Sequence, residues 1–427
     1  MPTSGDVDDA AVSVADCVER IHCWEPLIEA WAHVDAGPCV SATDNVSRDK
    51  GNASGLRGVP FGVKDVIDVR GQPTRFGSRA FDVVEPAGDD APIVAALRSA
   101  GAIPVGKTRS TEFAFVDPTI TRNPYNSRRS PGGSSSGSGA VVGAGIVPFA
   151  LGTQTAGSLC RPAAYCGAAS YKPGLGVMPV TGMAPLSPSF DAIGVIAQSA
   201  DWLERVFQVL ARAFQVPRCS DTPGRALRIG FVDVPEQRPS PSVASAMAYA
   251  IRQFETAGHC IDITATPISF ADVIRHHRVV MLAEAAGVLL PFVGARRDLL
   301  QPFLREGLAE GEKITPVERQ DSIEWIATVR AEFWRHFHLF DLLLSFPVPD
   351  IAPIGLSTTG DQTYLTPWTA LGGPLVSLPA GRGPEGMPLG ILLAAAPGRD
   401  AFLVQTATQM AAHLPKIARA EPRGVEI

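Results

Sequence analysis

Three short motifs in the first half of the chain carry residues that together can attack a carbonyl group. Lys64 ends the apolar run GVPFGVK, Ser134 lies in the run PGGSSSGSG, and Ser158 ends the turn GTQTAGS. A serine nucleophile needs a base that takes its proton. A lysine that is desolvated among neutral groups has a lowered pKa and can be that base. The three residue types therefore predict nucleophilic catalysis by a serine.

Each motif has a simpler interpretation when it is considered alone. A lysine at a strand end is often solvated, many turns are rich in small residues, and Gly/Ser runs occur as flexible linkers. The linker is disfavoured here because the run continues into the apolar segment AVVGAGIVPFALG and does not lie at a domain edge. We therefore expect a tight loop close to a site, where glycine permits the required backbone dihedrals.

Considered together, the three motifs resemble the amidase signature family. That family has a lysine after an apolar G-V-P-x-x-V-K-D strand, a G-G-S-S loop and a nucleophilic serine in a Gly-Ser turn, which match Lys64, Ser134 and Ser158. The 24 residues from Ser134 to Ser158 equal the family's spacing. Similar residues recur at GKT, EF, NP, RPA, CG, KP and D-x-x-G within 106–194, and at GPLVSLP and PLGI near the carboxyl end. The resemblance covers most of the chain and is weakest in 240–340.

The resemblance implies an α/β fold. It is a single large domain of residues 1–427, with a mixed central β-sheet flanked by helices. Residues 58–200 form the catalytic core with the Lys-Ser-Ser motifs. The mostly helical segment 240–340 covers the substrate cleft.

The resemblance also implies a role for each motif residue. Ser158 attacks the carbonyl, Lys64 is the base, and Ser134, placed in a cis peptide bond, relays the proton between them. The oxyanion hole consists of the backbone N–H groups of Thr155, Ala156, Gly157 and Ser158. Substrate binding is assigned to Gly133, Ser135 and Arg161. Arg161 can meet a substrate carboxylate or brace the loop, and bracing is favoured because similar arginines occur widely in the family. No metal and no cofactor is expected.

Two positions depart from the family's usual pattern. Gln154 stands where aspartate is usual, and Ala156 stands where glycine is usual. A subset of the family carries TQTAGS, and alanine keeps the backbone N–H, so neither change is expected to abolish activity. The supporting hydrogen bonds of Gln154 are left open by the sequence.

Two other motifs compete for residues in the same region. The segment 101–108 (GAIPVGKT) fits a nucleotide-binding P-loop, but its interior is an apolar strand and Pro104 lacks the N–H donor that a phosphate needs. The segment GSSSG fits the G-x-S-x-G elbow with Ser135 as nucleophile and His413 as a late histidine. No strand pattern precedes this elbow, and His413 falls in an amphipathic helix. Both alternatives are therefore disfavoured.

Histidines and cysteines show no metal-binding pattern. The paired histidines of the helical region lack E-x-x-H or comparable spacing, so they are predicted to be solvated or helix-packing side chains. They are His276, His277, His336 and His338. The seven cysteines are scattered and form no C-x-x-C pair, which favours reduced thiols.

Composition excludes several functional classes. The 427 residues are 45% hydrophobic, which suits one large domain or two ordinary ones, and the net charge of −6 gives no electrostatic footprint for nucleic acid or an anionic membrane. The first residues, MPTSGDVDDA, lack a signal-peptide pattern, and no run of about 18 apolar residues is free of charge, glycine and proline. We therefore expect a cytoplasmic protein without a membrane span.

Hydrophobic periodicity places the motifs on alternating strands and helices. It predicts a helix through much of 10–34 that Pro26 divides, an exposed loop at 41–55 and a mostly helical 240–340. Shorter helices are predicted at 92–99, 110–115 and 199–214 and through Leu403–Leu414. Strands are predicted at 59–63, 103–105, 228–232, 342–346, 375–378 and 390–393.

The sequence thus predicts an amidase that hydrolyses the C–N bond of a small carboxylic amide to a carboxylate and ammonia or an amine. One alternative is the glutamine or asparagine amidohydrolase subunit of a partner-dependent amidotransferase. Another is a relative that only binds or scaffolds, which the intact Lys64, Ser134 and Ser158 oppose. The expected partner is a small-molecule amide, neither nucleic acid nor membrane is expected, and a homodimer is left open.

Overall fold

A mixed β-sheet runs through the described part of the chain. The structure, a computed structural model, describes residues 12–35, 55–218 and 225–422. Its strands in these residues are β1 Trp31–Val34, β2 Pro60–Lys64, β3 Ile103–Thr108, β4 Phe149–Gln154, β5 Ala169–Lys172, β6 Ala192–Ala197, β7 Arg228–Asp233, β8 Cys260–Ala265, β9 Leu342–Ser345, β10 Leu375–Arg382 and β11 Pro388–Ala394. The eleven strands form one sheet in the order β1-β3-β2-β4-β6-β5-β10-β11-β9-β7-β8.

Helices cover both faces of this sheet. In the described residues they are α1 Val14–Ile28, α2 Pro92–Ser99, α3 Ser136–Gly143, α4 Cys160–Tyr165, α5 Ala200–Ala213, α6 Pro241–Thr256, α7 Phe270–Val293, α8 Pro302–Gly311, α9 Pro316–His336, α10 Thr366–Ala370 and α11 Asp400–Ala411. Alternate residues of β4 belong to different cores, since Phe149 and Leu151 pack in the largest one and Ala150 packs in a second one. A strand buried on both faces needs apolar residues throughout. The predicted α/β fold with one mixed sheet is confirmed.

Several predicted elements need correction. The helix predicted through much of 10–34 is not divided at Pro26, which lies in the last turn of α1, and Trp31–Val34 is a strand. The stretch predicted as a helix at 110–115 holds only a short 3-10 turn, because Phe113 has a positive φ of 46°. The strand β8 interrupts the segment predicted as helical. The predicted loop at 41–55 lies, except for Gly55, outside the described residues.

Parallel pairing brings two motifs to one edge of the sheet. The strand β2 pairs in parallel with β4, with Val63 opposite Leu151. Because the carboxyl ends of parallel strands meet at the same edge, Lys64 and Thr153 become neighbours. Ligands bind at this edge in open α/β sheets.

The Gly/Ser run becomes the helix α3, whose small side chains allow backbones to approach closely. A Cβ at Gly137 would lie 2.3 Å from the carbonyl oxygen of Ala30 and 2.5 Å from the backbone nitrogen of Arg109. The backbone N–H of Gly137 donates to the Arg109 carbonyl at 2.8 Å. The glycine therefore fixes α3 against β1 and β3, and this contact positions the loop that precedes the helix.

One helical stretch among the described residues is long and apolar enough to cross a membrane. This stretch is Phe270–Leu299, although a core helix of a soluble protein passes the same test of length and composition. Two polar side chains of this helix, His277 and Glu284, are buried against other parts of the chain. Such burial is typical of a core helix. The expected absence of a membrane span stays a prediction.

The two helical glycines Gly137 and Gly287 should respond oppositely to alanine. A Cβ at Gly287 meets nothing within 4 Å, so Gly287→Ala should stabilise the protein by up to about 1 kcal/mol, because alanine restricts the unfolded chain and has the higher helix propensity. Gly137→Ala forces α3 away from β1 and should destabilise by about 1–3 kcal/mol or more. Urea unfolding of both variants measures the difference. Equal stability of the two variants would contradict the close approach.

Candidate active site

Lys64 is fully buried at the carboxyl end of β2, between two hydroxyl groups. Its Nζ donates to Ser134 Oγ and to Thr153 Oγ1, both at 2.6 Å. Burial lowers the pKa of Lys64 well below its ordinary value, the charge of Asp191 raises it, and the charge of Arg161 lowers it further. Because both hydrogen-bond partners are neutral, the environment favours an uncharged amine.

Ser134 belongs to a tightly held loop between β3 and α3. The Gly133–Ser134 peptide bond is cis, as the resemblance implies. The Ser134 carbonyl accepts a hydrogen bond from the Thr111 N–H at 3.2 Å. A Cβ at Gly133 would lie 2.6 Å from the methyl group of Thr359, so the loop is enclosed on that side as well. These contacts hold the Ser134 hydroxyl next to Lys64.

Ser158 lies in the turn between β4 and α4. It is 7% exposed, whereas Ser134 and Lys64 are fully buried, so Ser158 is the one of the three that a substrate can reach. The Ser135 N–H donates to the Ser158 carbonyl at 3.2 Å and joins the two serine segments. In the part of the chain that the structure describes, no hydrogen bond joins the Ser134 and Ser158 hydroxyls.

The backbone of the turn 155–158 is bonded on its carbonyl side only. The four carbonyls accept, in chain order, from His277 Nε2, the Thr369 hydroxyl, the Arg161 N–H and the Ser135 N–H. Among the described residues, the N–H groups of Ala156, Gly157 and Ser158 have no protein acceptor. Buried N–H groups are almost always paired. Three free donors in one buried turn therefore form a concave site for a negatively charged oxygen.

Gln154 supports this turn through hydrogen bonds to the residues that follow it and to Thr369. Its Oε1 accepts from the Leu159 and Cys160 N–H groups, both at 3.0 Å, which caps the amino end of α4. Its Nε2 donates to Thr369 Oγ1 at 2.9 Å. The glutamine thus satisfies its acceptor and one donor, and the hydrogen bonds that the sequence left open are supplied by α4 and α10.

Asp191 holds the first residue of the turn through its side chain. Its Oδ1 accepts from the Thr155 hydroxyl at 2.5 Å, and its Oδ2 accepts from the Leu186 and Ser187 N–H groups at 2.8 and 2.9 Å. Burial nevertheless raises the pKa of Asp191 to about 6. Asp191 belongs to the D-x-x-G segment that the resemblance singled out.

The side chain of Arg161 braces the Gly133 loop. Its terminal nitrogen NH2 donates to the Gly133 carbonyl at 2.6 Å and to Thr359 Oγ1 at 3.3 Å. Burial lowers the pKa of Arg161 to about 10. Its Nε and other terminal nitrogen are buried and find no partner among the described residues. The bracing contact is present, and two donors remain free.

The predicted substrate-binding serine is already engaged with the backbone. Ser135 Oγ donates to the Thr153 carbonyl at 3.3 Å and accepts from the Thr153 N–H at 3.2 Å. Its side chain is fully buried. The hydroxyl of Ser135 therefore cross-links α3 to β4.

The competing motifs lack the geometry that they require. Lys107 of the P-loop-like segment is buried within β3, where its Nζ lies 3.4 Å from Asp65 Oδ1 and donates to Thr74 Oγ1 at 2.7 Å. His413 is exposed beyond the end of α11, and Ser135 is bonded to backbone instead of a histidine. No group of three His, Cys, Asp or Glu side chains in the described residues is placed to hold a metal ion.

Three site residues were not identified from the sequence. Thr153 lies in the same motif as Ser158, so its position in the sequence could have identified it as a site residue. His277 and Thr369 come from α7 and α10, and nothing local in the sequence marks them. His277 packs in the helical region as expected, with its ring 4.3 Å from that of Phe190, but it also bonds the turn.

Known proteins resemble this chain over most of its length. The sequence model of the family described as amidase matches residues 13–404. A glutamyl-tRNA(Gln) amidotransferase subunit from Chloroflexus aurantiacus is 31% identical over 463 aligned positions, which cover 94% of this chain and 92% of that protein. A crystal structure described as an amidase is 26% identical with a TM-score of 0.84, covering 94% of this chain and 95% of the other. The peptide amidase of Stenotrophomonas maltophilia shares the fold at 22% identity, with a TM-score of 0.81 and coverage of 96% and 95%.

His277 should make stability fall in acid. Burial lowers its pKa from 6.5 to about 4, so the unfolded chain binds a proton that the folded chain does not. Its contribution is present above about pH 6.5 and is lost as the pH falls towards 4, by about 3 kcal/mol. Asp191 acts in the opposite direction, so the readout is the difference between wild type and His277→Leu in urea unfolding from about pH 4 to 7. Parallel curves would contradict the burial of a neutral His277.

Proposed function

Because this chain belongs to the amidase family, we propose that it hydrolyses the C–N bond of a small linear carboxylic amide to a carboxylate and ammonia or an amine. The observation that carries the proposal is Lys64, which is buried between the Ser134 and Thr153 hydroxyls and has no carboxylate partner among the described residues. A buried amine with a lowered pKa is the base that a serine nucleophile requires. The N–H groups of the turn at Ser158, which have no acceptor among the described residues, would stabilise the negative oxygen of the intermediate.

In the proposed first half-reaction, Ser158 Oγ attacks the amide carbonyl. Its proton passes to Ser134 Oγ while the Ser134 proton passes to neutral Lys64, since a hydroxyl both donates and accepts. The tetrahedral intermediate carries its negative charge on the former carbonyl oxygen. The proton then returns through Ser134 to the leaving nitrogen, the C–N bond breaks, and ammonia or an amine departs from the acyl-enzyme.

In the second half-reaction, water replaces the leaving amine. As water attacks the ester carbonyl, it gives a proton to Ser134 Oγ while Ser134 gives its own proton to Lys64. When the ester bond breaks and the carboxylate leaves, Ser134 gives a proton to Ser158 Oγ and recovers one from Lys64. The relay needs the Ser158 hydroxyl to turn towards Ser134. Catalytic hydrogen bonds of this kind often tighten only in the substrate complex.

The proposed oxyanion hole is the turn Thr155, Ala156, Gly157 and Ser158. Each donor is worth roughly 3 kcal/mol of barrier when it is preorganised and shielded from water. The N–H groups of Ala156, Gly157 and Ser158 support this role, since they have no protein acceptor in the described part of the chain. Alanine at 156 supplies the same N–H as the usual glycine would.

The substrate-binding roles of Gly133, Ser135 and Arg161 remain part of the proposal. The donors of Arg161 that have no partner among the described residues favour an acyl group that carries a carboxylate, because a carboxylate oxygen would satisfy one of them. Its bond to the Gly133 carbonyl favours bracing. Monoamides of dicarboxylic acids and neutral amides distinguish these roles by their relative rates.

A second candidate function is favoured by the sequence relatives. Several of them are named as subunits of glutamyl-tRNA(Gln) amidotransferase. By this proposal the chain releases ammonia from glutamine or asparagine for a partner enzyme and shows low activity alone.

Cytoplasmic location and a homodimer also stay predictions. Cell fractionation tests the location, and light scattering tests the oligomeric state.

Ammonia release from a panel of amides tests the proposed chemistry. Wild type should turn over at least one aliphatic, aryl, dicarboxylic or amino-acid amide, and Ser158→Ala and Lys64→Ala should lose at least about 10³-fold in kcat/KM. His413→Ala is the matched control, because His413 lies outside the site, and it should keep wild-type activity.

Three outcomes separate the candidates. Loss of activity in His413→Ala but not in Ser158→Ala would favour the elbow. Turnover restricted to glutamine, at a rate that co-purifying proteins increase, would favour the amidotransferase subunit. Absence of turnover together with failure of Ser158 to react with a fluorophosphonate would contradict both enzymes.

The pH profile should report the lowered pKa of Lys64. The base must be neutral, so kcat/KM should rise with pH through the pKa of Lys64 and reach its plateau well below the ordinary lysine value of 10.5. Profiles of kcat/KM from about pH 5 to 10 on wild type test this. The same profile on Asp191→Asn separates the titration of Lys64 from that of Asp191, whose pKa burial raises to about 6. A rate that still rises tenfold per pH unit above about pH 9 would contradict a neutral Lys64.

A further inference from the structure

The peptide units of the turn 155–158 have fixed geometry. In a trans peptide, the C=O of one residue and the N–H of the next lie in one plane and point in opposite directions. The Thr155 carbonyl therefore sets the direction of the Ala156 N–H, and the Ala156 carbonyl sets that of the Gly157 N–H. Whatever binds these two carbonyls orients the two donors.

His277 binds the first of these carbonyls. Its Nε2 lies 2.8 Å from the Thr155 oxygen, and because a carbonyl only accepts, Nε2 carries the hydrogen. The ring is 2% exposed and stacks on Phe190, so its orientation is fixed by packing. A buried neutral imidazole is thus a rigid donor held by α7.

Thr369 binds the second carbonyl, and Gln154 determines which way its hydroxyl points. The acceptor oxygen of Gln154 is engaged by two N–H groups of α4, so its amide nitrogen faces Thr369 and must donate to it. The single hydroxyl proton of Thr369 is then left for a carbonyl. The Leu365 carbonyl lies 3.3 Å away and the Ala156 carbonyl is closer, so the proton is directed at Ala156. The three residues form a one-directional chain of hydrogen bonds.

The geometry points to His277 and Thr369 as positioning residues that clamp the oxyanion hole, with Gln154 setting the direction of the Thr369 hydroxyl. Neither side chain touches the reacting atoms. Each acts by holding one peptide plane of the turn, so that the Ala156 and Gly157 N–H groups are preorganised for the charge that develops in the transition state. This inference rests on the proposed acyl transfer at Ser158.

The test compares variants that remove each donor with variants that keep it. His277→Leu and Thr369→Val remove the donor and preserve bulk, whereas His277→Gln and Thr369→Ser retain a donor of similar reach. The matched controls are His276→Leu, on the same helix with its ring on Trp325, and Thr408→Val, whose hydroxyl bonds within α11 and to the Ala200 carbonyl. Urea unfolding establishes that each variant is folded at the assay temperature.

An oxyanion-hole defect has a signature that general destabilisation lacks. His277→Leu and Thr369→Val should lower kcat about 10- to 100-fold with KM within about twofold of wild type. They should weaken inhibition by an aldehyde matching the preferred acyl group by a similar factor, because its hemiacetal oxygen occupies the hole. The donor-retaining variants should recover most of the loss, and the controls should match wild type.

Gln154→Glu tests the direction of the hydrogen-bond chain. A carboxylate still caps α4, but it cannot donate, so it attracts the Thr369 proton away from the Ala156 carbonyl. Gln154→Glu should therefore lower kcat by a factor similar to that of Thr369→Val. The double variant should cost little more than either single one, because both remove the same contact.

Failure of this inference is distinguishable from failure of the proposed function. If wild type hydrolyses no amide, the proposed function fails, and the rate of Ser158 labelling by a fluorophosphonate then tests the clamp alone, since the phosphonyl oxygen uses the same hole. Labelling at least about tenfold slower in His277→Leu and Thr369→Val supports the clamp. Unchanged labelling or unchanged kcat in both variants overturns it, as does a loss carried by KM alone.

Discussion

The burial of one amine without a counter-ion constrains the rest of the site. Lys64 loses its hydration and receives only hydroxyl partners, Ser134 and Thr153, in exchange. That environment favours the neutral amine, so the surrounding elements exclude water, and in the described residues no carboxylate lies within hydrogen-bonding distance, although the charge of Asp191 acts on Lys64 from further away. The apolar residues on both faces of β2 and β4 and the small-residue helix α3 meet that requirement.

The turn at Ser158 follows from a second constraint, the need to satisfy backbone groups in a buried turn. Its four carbonyls are bound by groups from α3, α4, α7 and α10, while three of its N–H groups have no acceptor in the described residues. This asymmetry concentrates positive potential where a carbonyl oxygen would become negative. Two of the groups that bind the carbonyls, His277 and Thr369, come from parts of the chain 122 and 213 residues away, so the geometry of the turn depends on the packing of α7 and α10.

The family relationship accounts for the fold that these proteins share, but it does not identify the substrate of this chain. Proteins described as amidases superpose over nearly the whole chain at low sequence identity. One fold serves many reactions, and specificity comes from side chains around the site. In this chain we propose that Arg161, two of whose donors have no partner among the described residues, is one of those side chains.

The sequence by itself determined the family and the class of fold, and it predicted the catalytic residues. Lys64, Ser134 and Ser158 stand in local motifs whose spacing is set along the chain, and the apolar runs predict an α/β sheet. It did not predict β5, which has only four residues, or β6, a continuous apolar run whose type periodicity alone cannot decide. It also left the hydrogen bonds of Gln154 open and gave no sign that Thr369 or His277 contacts the turn at Ser158. Their roles depend on contacts between residues far apart in sequence, and only tertiary packing decides which buried carbonyl each donor meets.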